Sequence, residues 1–264
     1  MNTARCRWAP RSGRMPSSDT DRDRSMHPLA KSTFSLVLLA ASAGCLAEVK
    51  DVAGIAVGTP FSAARAMASK INSSYRVENL QMTGTMMGFK ATASQANSQA
   101  PYDQLVVLAD NAGVWFVGRQ QNYTKGSRVS FDELENALLQ KYGEPSSMSN
   151  IGTLTKRWEL YRDGRTHREK HSPGPCRTGF MKSDWTYVPG TQIGMLTNLS
   201  PTCGTLIMSE ALVDNNDRMV TQLTTKVIDS QRMHDFLNAK DSAEEQERQR
   251  QLQQERSAGN KPKL

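Results

Sequence analysis

Long apolar runs are nearly absent from these 264 residues. The exception is STFSLVLLAASAGCLAEV, Ser32 to Val49, whose unbroken part covers only Phe34 to about Ala47 with Ser35, Ser42 and Gly44 inside it. A helix that crosses a bilayer needs roughly 20 predominantly apolar residues, so the run argues against a transmembrane anchor. Nucleophile motifs are missing as well: there is no Gly-x-Ser-x-Gly, no Ser-x-x-Lys and no Gly-x-x-x-x-Gly-Lys phosphate loop. Histidine is scarce, with only His167, His171 and His234 beyond the apolar run. Carboxylates are plentiful, but a glycosidase needs two that converge, and one-dimensional order shows no convergence.

Concentrated positive charge is lacking too. The chain carries +7, yet residues 1–47 hold seven Lys/Arg against three Asp, leaving 26 Lys/Arg against 23 acidic groups from Glu48 onward. A nucleic-acid-binding surface needs a basic patch. The densest cluster, Lys156, Arg157, Arg162, Arg165, Arg168 and Lys170, is diluted by Glu159, Asp163 and Glu169. It reads as a solvated hairpin face, and no nucleic-acid partner is expected.

The apolar run itself fits an export signal. Lys31 is the positive flank, Leu36-Val37-Leu38-Leu39 the apolar core, and small residues follow where a signal peptidase cuts. Met26 opens MHPLAK, an ordinary signal start, so residues 1–25 are expected to be a mis-assigned gene start or a disordered extension, and 26–47 the signal. Ser42-Ala43-Gly44-Cys45 resembles the bacterial lipoprotein box, departing from it by Ser42 in place of Leu. Cys45 is therefore the lipidation candidate, with cleavage after Ala47 as the alternative. The expected location is the periplasm, or the outer membrane through that lipid. Of the four cysteines, Cys6 and Cys45 fall in the leader, leaving Cys176 and Cys203 as a natural disulfide in an oxidising compartment.

From Glu48 to Asn238 the chain is long enough for a sizeable core, as one domain or two small ones. Thr59 is the expected N-cap of a first helix with Pro60 at its first position, and Phe61, Ala64, Met67, Ala68 and Ile71 recur at helical spacing. Ser130 and Glu133 form a capping box for a second helix, which carries Phe131, Leu134, Leu138 and Tyr142 on one face and stops at Gly143 and Pro145.

Strand-like sequence follows each helix. Gln104–Ala109 and Val114–Arg119 flank a turn at Asp110–Gly113 and are apolar enough to be buried on both faces. Leu154–Tyr161 turns at Asp163-Gly164, and a long loop runs from His171 to Ser200. Thr205–Val213 pairs with Met219–Ile228, in which Gln222, Thr224 and Lys226 mark one wet face.

The pattern predicts an α+β fold of two similar halves, about 48–126 and 127–238, each a helix plus antiparallel hairpins with the helices on one side of antiparallel sheet. In pattern alone, without a residue-specific motif, GTPFSAARAMASKI and SFDELENALLQKYGEP resemble bacterial envelope proteins built from helix-plus-hairpin repeats, such as β-lactamase-inhibitor-like folds. No family membership follows from this. Residues 239–264 are polar almost throughout and are expected to be a solvated helix or a disordered tail, with Met233, Phe236 and Leu237 docking ahead of it.

Two constellations carry metal chemistry on paper. His167 and His171 in HREKH, with Cys176 and Cys203, are zinc-type ligands, and Met82, Met86 and Met87 are soft ones. A disulfide removes the thiolates, and methionines more commonly fill cores, so no metal and no cofactor is expected. The function expected is a non-enzymatic exported cell-envelope protein that binds an envelope protein partner, as periplasmic adaptor, inhibitor or assembly factor. Sheet faces and the loops 93–100 and 171–200 would be its contact surface. An envelope hydrolase with an unrecognised site, or a metal-handling protein, is the alternative; the membrane is reached only through the Cys45 lipid.

Overall fold

The computed structural model describes residues 50–82, 85–94, 101–150, 153–169, 172–176 and 185–258. They all belong to one unit, Leu46–Leu264. A two-stranded pair, β1 (Asp51–Val52) with β2 (Ile55–Ala56), leads into helix α1 (Phe61–Ile71). Four strands follow: β3 (Arg76–Met82), β4 (Thr85–Ser94), β5 (Pro101–Asp110) and β6 (Gly113–Asn122). Helix α2 (Phe131–Tyr142) precedes β7 (Ser147–Ser149) and β8 (Leu154–Tyr161). A small pair, β9 (Trp185–Tyr187) with β10 (Gly194–Leu196), precedes the hairpin of β11 (Cys203–Val213) and β12 (Val220–Asp229), and helix α3 (Ser230–Ala258) ends the described chain.

Eight strands form one antiparallel sheet in the order β3-β4-β5-β6-β12-β11-β8-β7. With the three helices this is a mixed α+β architecture. The last strand after α1 and the last after α2 meet in the middle, with Val117 opposite Val227 and Arg119 opposite Thr225.

Local chemistry sets the helix ends. Ser130 Oγ accepts the Glu133 amide at 3.2 Å, Glu133 Oε2 accepts the Ser130 amide at 3.3 Å, and Gly143 closes α2 at φ 72°. The start of α1 departs from expectation: Pro60, not Thr59, is the N-cap, and no side chain caps it. The reason is that Thr59 is drawn into strand-like pairing with β6. Its carbonyl accepts the Val114 amide at 2.9 Å, while the Gly58 amide donates to the Val114 carbonyl at 2.7 Å. Gly113 permits that approach, since a Cβ there, at φ 120°, would sit 2.8 Å from the Thr59 carbonyl oxygen.

Strand alternation divides the core into two layers. On one face Leu105, Val107, Val117, Trp158, Ile207 and Val227 pack under Ala64 and Ala68 of α1 and Leu134, Leu138 and Tyr142 of α2. On the other, Val106, Leu108, Trp115, Phe116, Leu206, Met208 and Ile228 lie under Val188, Ile193, Met195, Leu196 and Leu199, with Met233, Phe236 and Leu237 of α3. Helices α1 and α2 share one face, and α3, the C-terminal helix, docks on the other. One expectation is corrected here. The segment read as the loop 171–200 is, where described, a covering layer containing β9 and β10. Both faces are thereby covered over much of their area among the described residues.

The anchor of α3 is specific. Asp229 caps it by accepting the Arg232 amide at 3.1 Å, and the Arg232 guanidinium pairs with Asp110 and donates to the carbonyls of Gly113 at 2.9 Å and Val114 at 3.1 Å. Beyond it the helix is exposed and held by its own ion pairs, such as Lys240–Glu244 and Arg250–Glu247. No helix among the described residues is long and apolar enough to cross a membrane.

Candidate functional site

Cys45 and the rest of the export signal lie outside the described residues, as does His171. Cys176 and Cys203 stand side by side, fully buried, with Cα atoms 4.5 Å apart: a disulfide-capable pair. The zinc constellation does not assemble among the described residues. His167 is buried with Nδ1 at 3.2 Å from the Tyr161 hydroxyl and Nε2 at 3.1 Å from the Ser172 carbonyl oxygen, so both ring nitrogens already face protein partners. Nor do three or more His, Cys, Asp or Glu side chains converge as metal ligands among the described residues. Met87 is buried in the core, and the side chains of Met82 and Met86 lie outside the described set.

The basic cluster is only partly a solvated face. Arg162, Arg165 and Arg168 are exposed, but Lys156 is buried and paired with Glu135 of α2, while Arg157 donates to the Cys176 carbonyl at 3.0 Å. Glu159, also buried, accepts the Cys176 amide at 3.0 Å. These residues fasten the covering layer and the second helix to β8.

A second buried network sits where α1 meets the sheet. Asp103 accepts two bonds from Arg119, at 3.0 and 2.7 Å, and one from the Tyr75 hydroxyl at 2.7 Å. Burial, joined by the Asp103 charge, pushes the Tyr75 pKa up. Burial opposes the Arg119 charge, yet the hydrogen bonds and charge of Asp103 outweigh it and hold the guanidinium above its ordinary pKa. Every member is engaged, which marks a structural clamp.

The polar face of β12 is where sequence reasoning fell short. Thr224 and Lys226, expected to be wet, are 6% and 2% exposed. Thr224 belongs to a row of directly opposed residues on one face of five neighbouring strands, Gln104 on β5, Gln120 on β6, Thr224 on β12, Glu210 on β11 and Thr155 on β8, and Lys226 stands two residues along on the same face, opposite Gly118 and Met208. The covering segment is bonded to this row. Gln120 donates to the Gln192 side chain at 2.9 Å, and the Gln192 amide donates to the Gln104 side chain at 3.0 Å. Lys226 pairs with Glu210 at 2.6 Å. Burial lowers the Lys226 pKa, and the Glu210 charge and hydrogen bond oppose that shift.

Beside the row lies an open cleft of about 310 Å³, lined by Gln120, Gln192, Gln222, Thr224, Glu210 and Lys226 with Tyr187 and Leu212. A second groove, of about 360 Å³, runs between α2 and the open edge of the sheet and is lined by Phe131, Glu135, Met148, Ser149, Leu154 and Lys156. Among the described residues the exposed large apolar side chains are Met148 at 69%, Tyr187 at 68% and Leu212 at 38%. All three belong to one of these two depressions, which singles them out as the places where the surface departs from its polar norm.

The combination defines a class in physical terms only: an antiparallel sheet with covering layers on both faces, a polar cleft on one face and an apolar groove at its edge. Comparison with family models, with curated proteins and with solved structures finds no match.

Proposed function

We propose that this is a non-enzymatic protein of the bacterial cell envelope, exported by the Met26–Ala47 signal, that binds a protein partner along the open edge of its sheet at β7. The observation that carries the reading is Met148. It is 69% exposed beside an apolar groove, on the terminal strand of a sheet whose two faces are covered. An unpaired strand edge offers main-chain hydrogen bonds to an extended segment, and an adjacent apolar groove selects its side chains. The leader sequence and the juxtaposed Cys176 and Cys203 support an oxidising compartment.

The sheet is read as two like halves, α1 with β3–β6 and α2 with β7, β8, β11 and β12, joined along their last strands. The palindromic strand order supports this. On that reading the partner edge belongs to the second half, and the first half ends in its counterpart edge, β3.

The test places a photo-crosslinking residue at Ser149 in the protein expressed with its own leader. A discrete adduct whose yield falls roughly fivefold when Met148→Asp is introduced is the expected result. An absent adduct, or one indifferent to Met148→Asp, overturns edge docking. Intact mass of the recovered protein tests export: a chain beginning at lipidated Cys45, or at Glu48, supports it, and a chain retaining residues 26–47 overturns it.

A further inference from the structure

We infer that the cleft over β6, β12 and β11 is a binding site for a neutral carbohydrate, a ligand class separate from the protein partner at the β7 edge. The inference starts from cost. Burying amides, a hydroxyl and an ion pair in the middle of a sheet is unfavourable unless each is satisfied, and apolar residues of the same size would seal this face as they do elsewhere on it. Instead Gln104, Gln120, Thr224, Glu210 and Thr155 stand opposite one another across five strands. Of this row Gln120, Thr224 and Glu210 line the cleft, on three neighbouring strands that span roughly 10 Å at about 4.8 Å between strands.

The chemistry of the lining selects the ligand. The charges of Lys226 and Glu210 offset each other at 2.6 Å, so the floor attracts neither an anion nor a cation as such. Exposed Gln192 and half-buried Gln222 each keep an amide proton and acceptor capacity beyond their bonds to Gln120 and Asn122, while Gln120 and Thr224 are buried in the floor beneath them. Groups that both donate and accept match sugar hydroxyls, which do the same. Tyr187, 68% exposed at the mouth, offers an aromatic face against which the C–H side of a sugar ring packs. A peptide is the poorer fit: the floor is a sheet face whose backbone groups are already paired to neighbouring strands, so strand addition has nothing to bond to. The volume, about 310 Å³, is at the small end of ligand clefts and suits a short oligosaccharide segment lying along the row.

The experiment titrates the whole processed protein with four trisaccharides: maltotriose, cellotriose, triacetylchitotriose and, as the anionic contrast, trigalacturonate. It follows the side-chain amide resonances of Gln120, Gln192 and Gln222 by NMR. At least one neutral sugar is expected to shift these resonances with a dissociation constant of roughly 0.1–10 mM, tighter than trigalacturonate. Tyr187→Ala is expected to weaken that binding roughly tenfold and Tyr187→Phe to keep it within about twofold, because the ring and not the hydroxyl does the packing. Tyr187 is exposed, so neither variant threatens the fold. Met148→Asp should leave sugar binding unchanged, which separates this site from the edge. No shift with any neutral sugar, preference for trigalacturonate, or binding that survives Tyr187→Ala intact would each overturn the assignment.

Discussion

The two faces of the sheet are closed by different means. One is roofed by regular structure: α1 and α2 lay Ala64, Ala68, Leu134, Leu138 and Tyr142 onto strand residues chosen for size. The other is roofed by a segment that, where described, is mostly irregular, with short strands β9 and β10. That segment lays Val188, Ile193, Met195, Leu196 and Leu199 onto the sheet and adds point attachments, the Cys176–Cys203 juxtaposition and the Gln104–Gln192–Gln120 bridge. Helices meet their own backbone hydrogen-bonding needs and can cover a sheet with apolar side chains alone. An irregular segment cannot, so its backbone and amides need polar partners on the sheet. The helix-roofed face also carries an opposed polar row, Arg119, Thr225, Ser209 and Lys156, but its charges pair with the side chains of Asp103 and Glu135, whereas on the other face Gln104 and Gln120 bond the backbone and side chain of Gln192 in the cover.

The comparison predicts where single changes hurt most. Trp158→Ala strikes the helix-roofed face, where the indole is 1% exposed, packs 5.1 Å from the Tyr142 ring and donates to the Gly143 carbonyl at 2.8 Å. Removing it is expected to cost about 4 kcal/mol. Urea unfolding followed by fluorescence measures this, and a loss under about 2 kcal/mol would mean the layer relaxes far more than a helix-packed core should. On the other face the double change Cys176→Ala with Cys203→Ala should cost about 3 kcal/mol, from the entropy of a loop whose ends are 27 positions apart. Wild type unfolded under reducing conditions should lose the same amount. Two titratable thiols in the unreduced protein would show that the bond does not form.

The cleft yields a smaller effect with a pH signature. Glu210→Gln removes the carboxylate whose charge offsets the burial of Lys226, and is expected to cost roughly 2 kcal/mol near neutral pH, below the fully buried case because Glu210 itself is 23% exposed. The sign with pH follows from the lowered Lys226 pKa, caused first by desolvation. The folded protein gives up this proton before the unfolded chain does, so the unfolded state binds more protons between the lowered value and the ordinary lysine value of about 10.4, and stability rises with pH there. In Glu210→Gln the lowering is greater and the window wider. Its deficit relative to wild type should therefore shrink as pH rises toward the ordinary lysine value. A deficit that grows would mean that Lys226 is not the group responsible.

Much of the helix-roofed face was legible in the sequence because periodicity reports it directly. Leu134, Leu138 and Tyr142 at helical spacing, the Ser130–Glu133 box, and the runs Leu105–Leu108 and Val114–Val117 each state their own partner layer. The opposite face was legible only in part: burial of Val106, Leu108, Trp115 and Phe116 and docking of Met233, Phe236 and Leu237 were expected, but its cover was not, and the reason is physical. Gln222, Thr224 and Lys226 alternate with apolar residues just as they would on a wet strand, and nothing local says that a segment some 30 residues earlier lies over them. The signal that was present is compositional: Gln104 and Gln120 border the apolar runs of β5 and β6, and amides in such strands ask for a partner across a cover. Lys156 and Arg157 were misread for the same reason, since their partners, Glu135 and the Cys176 carbonyl, are distant in sequence.

The smallest effect sharpens the comparison within the helix-roofed face, between its two helix starts. At α2 the Ser130 hydroxyl accepts the Glu133 amide at 3.2 Å and donates to the Glu133 carboxylate at 2.9 Å. The Phe131 amide donates to the Arg218 carbonyl at 3.0 Å, so the cap is also moored to the turn before β12. At α1 no side chain caps the helix, and the backbone of Thr59 serves β6 instead. Ser130→Ala should therefore cost about 1 kcal/mol, the usual value for losing a capping side chain. Thr59→Ala should stay within about 0.5 kcal/mol, because its backbone bonds survive the change. Both are read as shifts of the urea midpoint at constant m-value. Were Thr59→Ala the more damaging of the two, the start of α1 would depend on the threonine side chain after all, and the division between a side-chain-capped helix and a strand-moored one would fall.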